Sequence, residues 1–368
     1  MENSELLTFV VVAWLVLSYA IMVVDITVLV TVHEFGHWMI ANLLGFKTPV
    51  FSVGFGKRSW SLVLGKFRGT EFRLSPILAG GYVSIPELED ETAVETDSAP
   101  RKYFAVWKRI AVAVAGVTYN FIFAVFLLSG YYIFAGEPNI VTRIEQVSPQ
   151  LTIARDAGLL PGDQFSTIGS QPVHNQMEVT KALCAARGTG ADVQVLREGK
   201  PVSVKLTPNQ DCHIGIFLRS VQEGAFAVSP LRAIGDATVT TATLIGKIAE
   251  GTGMLVGIVS RPPEIPESSV EMRGMIGILQ MGAQSMNSGI YGLIMFNVVI
   301  SASLIFMNML PLPVLDGGHV VFFLFEGITG KPVNDKLKKW LFNVFYYFLV
   351  FLMAYGLSND LRHIWFGH

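Results

Sequence analysis

The sequence is short of charge and of cysteine. Of its 368 residues 15% are charged and 51% hydrophobic, whereas an ordinary globular chain carries about 25% charged residues. A net charge of -2 leaves no basic surplus, which excludes a strongly basic nucleic-acid binder. Two cysteines, Cys184 and Cys212, are too few for a disulfide scaffold or a thiolate zinc cluster. Two buried free thiols are the preferred reading, with one bridge open to them in an oxidising compartment. No internal repeat is visible.

Long apolar runs are what the chain does have. Leu6–Val24, Ile110–Gly136, Gly289–Leu315 and Trp340–Leu357 carry no Asp, Glu, Lys or Arg, and each has the length a membrane-spanning helix needs. The first lacks a basic flank and a small-residue cleavage site, so it reads as a span rather than a signal peptide. Lysines and arginines concentrate between spans one and two (Lys47 to Arg109) and between spans three and four (Lys331 to Lys339). By the positive-inside rule both connections face the cytoplasm. Lys102, Lys108 and Arg109 read as interfacial lipid anchors.

The expected organisation follows. Residues 1–43 form the first span and 44–102 a cytoplasmic-side, membrane-associated β region. Residues 103–136 form the second span. Residues 137–215 form an inserted α+β domain outside the cytoplasm, and 216–288 a linker or accessory region. Residues 289–317 are the third span, 318–339 a cytoplasmic connection, 340–358 the fourth span and 359–368 a tail. Within the insertion, "NIVTRIEQV", "DQFSTIG", "ADVQVLR" and "PVSVKLTP" read as strands, "NQMEVTKALCAAR" as a helix and "REGKP" as a hairpin turn. "SRPPEIPESS" reads as an exposed loop, and "ELEDETAVETDS" is a second biased segment.

The chemistry sits at "HEFGH", residues 33–37. On a helix, positions i and i+4 share a face, so His33 and His37 can take one Zn²⁺ and leave room for a third ligand and a water. Glu34 then stands beside that water as a general base, and Gly36 keeps bulk away from the metal. Ionisable groups inside an apolar span are costly and mark function. Span three ends "NMLPLPVLDGGH". Its prolines, Pro311 and Pro313, must unwind the helix, and broken backbone at membrane depth is tolerated only within protein or along a wet cavity. Asp316, just past the break, is the preferred third ligand and His319 the competitor. Asn308 offers amide donors and an acceptor to a substrate backbone. Asp25, inside span one, is either near the metal cavity or an interhelical partner.

These residues resemble the site-2 protease family of intramembrane zinc metalloproteases. "HEFGH", "FSVGFG" (51–56), "GGYVSI" (80–85) and "NMLPLPVLDGGHVVFFLFEGITGKPV" (308–333) carry the likeness, with "LSNDLRH" near the C-terminus. The insertion resembles a PDZ domain at "DAGLLPGDQFSTIGSQPV" (156–173). Two departures stand out: Val117 replaces a proline in "AGVTYN", although Asn120 is kept, and a Gly-Pro-Ile-Gly pattern appears as "GMIGI" (274–278).

The resemblance implies a polytopic α-helical membrane protein of about four spans, with a membrane-associated β-hairpin region and an inserted PDZ-like domain. It implies one Zn²⁺ per chain on His33, His37 and Asp316, with Glu34 catalytic. Substrate binding falls to Asn308 and to Gly80, Gly81 and Tyr82, and a PDZ groove to Gly158, Leu159, Gly162 and Asp163. The implied activity is cleavage of single-span membrane proteins within the membrane: anti-sigma factors trimmed by an upstream site-1-type protease, or remnant signal peptides. The implied location is a bacterial cytoplasmic (inner) membrane, with the PDZ-like domain and both termini outside and the active site near the cytoplasm. The alternatives are a membrane-anchored PDZ scaffold with a non-catalytic metal site, which intact His33, Glu34, His37 and Asp316 disfavour, and a transporter, which would show an inverted repeat.

Overall fold

The computed structural model describes residues 2–89, 104–148, 151–173, 176–210, 212–260 and 274–366. The segment 261–269 of "SRPPEIPESS", most of the acidic run, Arg101 and Lys102 lie outside them. Two compact units are present: one of residues 1–129, 234–250 and 272–368, the other of 130–233 and 251–271.

The first unit begins with α1 (Glu2–Leu44). Gly45, at φ 88°, ends this helix, and Phe46 N–H returns to Ala41 O at 2.9 Å as in a glycine-stopped helix end. Four strands follow: β1 (Val50–Phe55), β2 (Leu62–Phe67), β3 (Thr70–Leu74) and β4 (Ile77–Ser84), in the sheet order β2-β3-β1-β4. The β2–β3 hairpin closes on Arg68 and Gly69, both at positive φ, the geometry of a two-residue hairpin turn. Every residue of β2 is exposed. β4 is the other edge and runs beside α1, since Thr27 Oγ1 donates to Leu78 O at 2.6 Å. A short helix, α2 (Pro86–Glu89), ends this part.

Span two is two helices, α3 (Val106–Ala113) and α4 (Ala115–Ala135), interrupted at Val114. Arg109 corrects the lipid-anchor reading. It is 2% exposed and forms an ion pair with Glu326, its guanidinium lying over the Phe323 ring. Lys108 instead lies over the rings of Phe104 and Trp107.

The second unit holds β5 (Glu137–Val147), α5 (Ile153–Asp156), β6 (Gln164–Ile168), β7 (Gln171–Pro172), α6 (Gln176–Ala185), β8 (Ala191–Arg197), β9 (Lys200–Leu206) and β10 (Ile216–Phe226). Its sheet order is β10-β5-β6-β8-β9, with β7 on β6. The core is Ile144, Leu159, Phe165, Val179, Val193, Val195 and their neighbours. "REGKP" is the hairpin turn expected, with Glu198 and Gly199 at positive φ. Two features differ from the sequence reading. The sheet runs past residue 215, because β10 pairs with β5 along most of its length. Cys184 and Cys212 are not free thiols but a disulfide, their Cα atoms 4.7 Å apart. Folding brings the end of α6 against the loop that leads into β10, a proximity that 28 residues of sequence separation conceal.

Region 216–288 is also more regular than expected. It contains α7 (Pro230–Leu255), capped by Ser229, and α8 (Met275–Met286). α9 (Gly289–Met309) stops ahead of Pro311, and α10 (Asp316–Thr329) fills much of the expected 318–339 connection. α11 (Asp335–Phe366) runs through the fourth span and most of the expected tail. Asp360 on α11 accepts the amide N–H of Gly274 (2.9 Å) and Gly277 (3.0 Å) at the start of α8, so "GMIGI" docks on "LSNDLRH". Among the described residues four helices are long and apolar enough to cross a membrane: Val16–Leu44, Val106–Ala135, Gly289–Met309 and Asp335–His363.

Candidate metal centre

His33 and His37 lie one turn apart on α1, buried at 7% and 6% exposure. Their Nε2 atoms are 3.1 Å apart. The break after α9 turns the chain so that Asp316 starts α10 facing them, its Oδ2 at 3.0 Å from His33 Nε2 and 3.3 Å from His37 Nε2. Gly317 and Gly318 allow this turn. A Cβ on Gly317 would sit 2.7 Å from Met309 C, and one on Gly318 would sit 2.6 Å from Pro313 Cα. These are backbone atoms that cannot step aside.

The donor set fits a divalent cation. Zinc bonds of about 2.0–2.2 Å in tetrahedral array put ligand atoms about 3.4 Å apart, near the spacings seen here. His37 Nδ1 lies 2.8 Å from Val112 O. Donation to that carbonyl fixes the tautomer and leaves Nε2 a lone pair. Asp316 Oδ2 is buried without a hydrogen-bond partner. A carboxylate oxygen aimed at an imidazole lone pair is repulsive until a cation stands between them. Among the described residues His33, His37 and Asp316 are the group able to hold a metal ion. His319 is outside it, one turn further along α10, with its ring against Phe323.

Glu34 is half-buried, and its Oε2 accepts Val83 N–H of β4 at 3.1 Å. Predicted base and predicted substrate strand therefore touch. Gly80 and Gly81 are tightly packed: a Cβ on Gly80 would meet the Phe55 ring at 2.5 Å, and one on Gly81 would meet Ser52 O at 2.8 Å. Tyr82 stacks on Phe55, with ring centroids 6.4 Å apart. Asn308 is in the last turn of α9, half-buried, just before the break. Asp25 is an interhelical partner, accepting from Asn297 Nδ2 at 3.2 Å.

Two glycines exchange roles relative to the sequence reading. Gly36 does not clear the metal; its Cβ would strike Ala115 O at 2.6 Å, so it permits the α1–α4 approach. The glycine that clears the metal is Gly116, whose Cβ would sit 2.6 Å from both Cε1 and Nε2 of His33. Asn120, fully buried one turn on, lies with Nδ2 3.4 Å from His33 Nδ1. In the sequence "AGVTYN" stands out for its missing proline and its kept asparagine, with no signal that ties either Gly116 or Asn120 to the histidines. Val112 acts through its carbonyl and leaves no side-chain signal.

The expected groove residues lie in the second unit. Leu159 is a core residue, 1% exposed. Gly158 and Gly162 supply positive φ in the "GLLPGD" turn. Asp163 accepts from Leu160 N–H at 2.9 Å and from Arg197 at 2.8 Å. Burial works to raise the Asp163 carboxyl, and the Arg197 and Leu160 hydrogen bonds outweigh it, holding it below the usual range. Asp163 thus ties the "GLLPGD" turn to Arg197 on β8.

A HExxH motif on one membrane-length helix, met by an aspartate from the break after another, defines a membrane metallopeptidase. The chain belongs to peptidase family M50, the site-2 protease family, whose model matches residues 21–352. It is a zinc metalloendopeptidase. It is similar to a "Putative zinc metalloprotease" of Brucella suis, 28% identical over 91% of this chain and 93% of the relative. A protein of the same printed name from Helicobacter pylori strain J99 is 29% identical over 94% and 99%. Another, from Mesorhizobium japonicum, is 26% identical over 91% and 96%.

Proposed function

We propose that the protein cleaves single-span membrane proteins within the membrane, with one zinc on His33, His37 and Asp316 and Glu34 as general base. The observation that carries this reading is the Glu34–Val83 hydrogen bond, which joins the base beside the three donors to an edge strand. A peptide drawn out of its helix and paired along β4 would bring its carbonyl to Glu34. A bound zinc supplies Lewis acidity and lowers the pKa of water to about 7. Glu34 takes the proton from the attacking water and delivers it to the leaving amine. Asn308, at the lip of the break, holds the substrate backbone, and Gly80–Tyr82 present the pairing edge.

The domain boundaries are part of the proposal, with the PDZ-like domain extended from 137–215 to residue 226. Its role is to sort substrates trimmed by an upstream site-1-type protease; anti-sigma factors and remnant signal peptides have the right single-span form. The Cys184–Cys212 disulfide supports an oxidising compartment for this domain, as does the lysine and arginine bias of the opposite connections. That topology puts both termini outside a bacterial inner membrane and the metal near the cytoplasmic side. Exposed Leu62 and Leu64 on β2 support contact of the β region with lipid.

The test is cleavage of a trimmed single-span peptide by the purified protein in detergent. Wild type should cut, and Glu34→Gln should fall by about 10³-fold or more while retaining zinc, a range consistent with loss of general-base chemistry and water positioning. A wild type that holds zinc and cuts none of several trimmed substrates would sink the proposal, as would undiminished cutting by Glu34→Gln.

A further inference from the structure

Val112, Gly116 and Asn120 are spaced i, i+4, i+8 along span two and meet the histidine pair in three ways. Val112 O takes His37 Nδ1 at 2.8 Å. Gly116 leaves the room that the rings occupy. Asn120 reaches His33 Nδ1 at 3.4 Å, is fully buried, and its Oδ1 has no hydrogen-bond partner.

The two histidines therefore differ. A neutral imidazole that ligates a metal through Nε2 carries its proton on Nδ1 and needs an acceptor there. His37 has a carbonyl. For His33 the group in reach is the Asn120 amide. With the amine end toward Nδ1, the proton of His33 would sit on Nε2, inside the donor cluster, where it excludes a metal. A half-turn of the amide brings Oδ1 to Nδ1–H, and the two orientations have the same shape.

We propose that Asn120 is a positioning residue for the zinc site. Its Oδ1 accepts the Nδ1–H of His33, fixing the tautomer and ring plane that present Nε2 to the metal. This deepens the zinc reading of the site, and its readout is metal affinity, so it stands or falls apart from the choice of substrate.

The experiment compares full-length wild type, N120L and N120D in detergent, with zinc affinity measured by competition against a chelator of known strength. Unfolding of the metal-free proteins is measured in parallel. N120L keeps the volume and removes the acceptor. It should bind zinc about 10–100-fold more weakly, the usual loss for an outer partner of a ligand, with metal-free stability unchanged or higher. N120D keeps an acceptor and should bind within about threefold of wild type, since a carboxylate serves the same bond. A purely structural asparagine gives the reverse ranking, because a buried carboxylate would disrupt the helix contact more than leucine does. Equal affinity of N120L and wild type overturns the proposal, as does N120D holding zinc no better than N120L.

Discussion

Arg109, buried, and Glu326, half-buried, form an ion pair between α3 and α10, 217 residues apart in sequence. α3 also carries Val112, whose carbonyl holds His37, and α10 begins at Asp316. One contact between two helices thus braces two of the three candidate ligands. Removing Glu326 would strand the buried guanidinium and removing Arg109 the half-buried carboxylate, the latter at a cost below the roughly 3–5 kcal/mol of a fully buried pair. Arg109→Ala should lower the unfolding midpoint by several degrees and reduce bound zinc. Arg109→Lys should recover part of both. Thermal unfolding followed with metal content checks this.

Gly116→Ala tests the cleared space. Its Cβ would stand 2.6 Å from His33 Nε2, inside the volume a zinc ligand sphere needs. Zinc content should fall from about one per chain to a small fraction, with helix content by circular dichroism unchanged. Retention of a full equivalent would mean that α4 can retreat.

Asp163 and Arg197 should make the inserted unit acid-sensitive. The Asp163 carboxyl is held below its usual range in the folded chain. Its contribution is therefore complete above about pH 4, the unfolded value, and is lost as pH falls below that. Asp163→Asn should flatten the acid limb of a stability–pH curve below about pH 4 and lower stability at neutral pH.

The disulfide closes a loop of 28 residues, for which chain entropy suggests about 3–4 kcal/mol. Cys184→Ser should destabilise the inserted unit by that order. In wild-type protein, alkylation should label neither cysteine until a reductant is added. Labelling without reductant would remove the support this bridge gives to an extracytoplasmic domain.

The spans, the HEFGH face and the LDG break were legible because hydropathy, helical spacing and paired prolines are local signals. His33, Glu34, His37 and Asp316 need only local spacing and one break to be found. What escaped depends on partners remote in sequence. Arg109 looks like a lipid anchor until Glu326 is known to face it, and Cys184 looks free until Cys212 is folded onto it. Strand β10 was missed because few of its residues are buried, and α7 because threonines and glycines blur its period. Asn120 was noticed but given no task, since nothing in "AGVTYN" points to a histidine 87 residues earlier.

The α3–α10 brace also sets a mechanical rule for the enzyme. A metal held by α1 and α10, with α3 tied to both, cannot be opened by sliding those helices without loosening the ligands. α11 carries no candidate ligand and is held to α8 by the Asp360 contacts, so a displacement of α11 and α8 together leaves the three candidate ligands where they are.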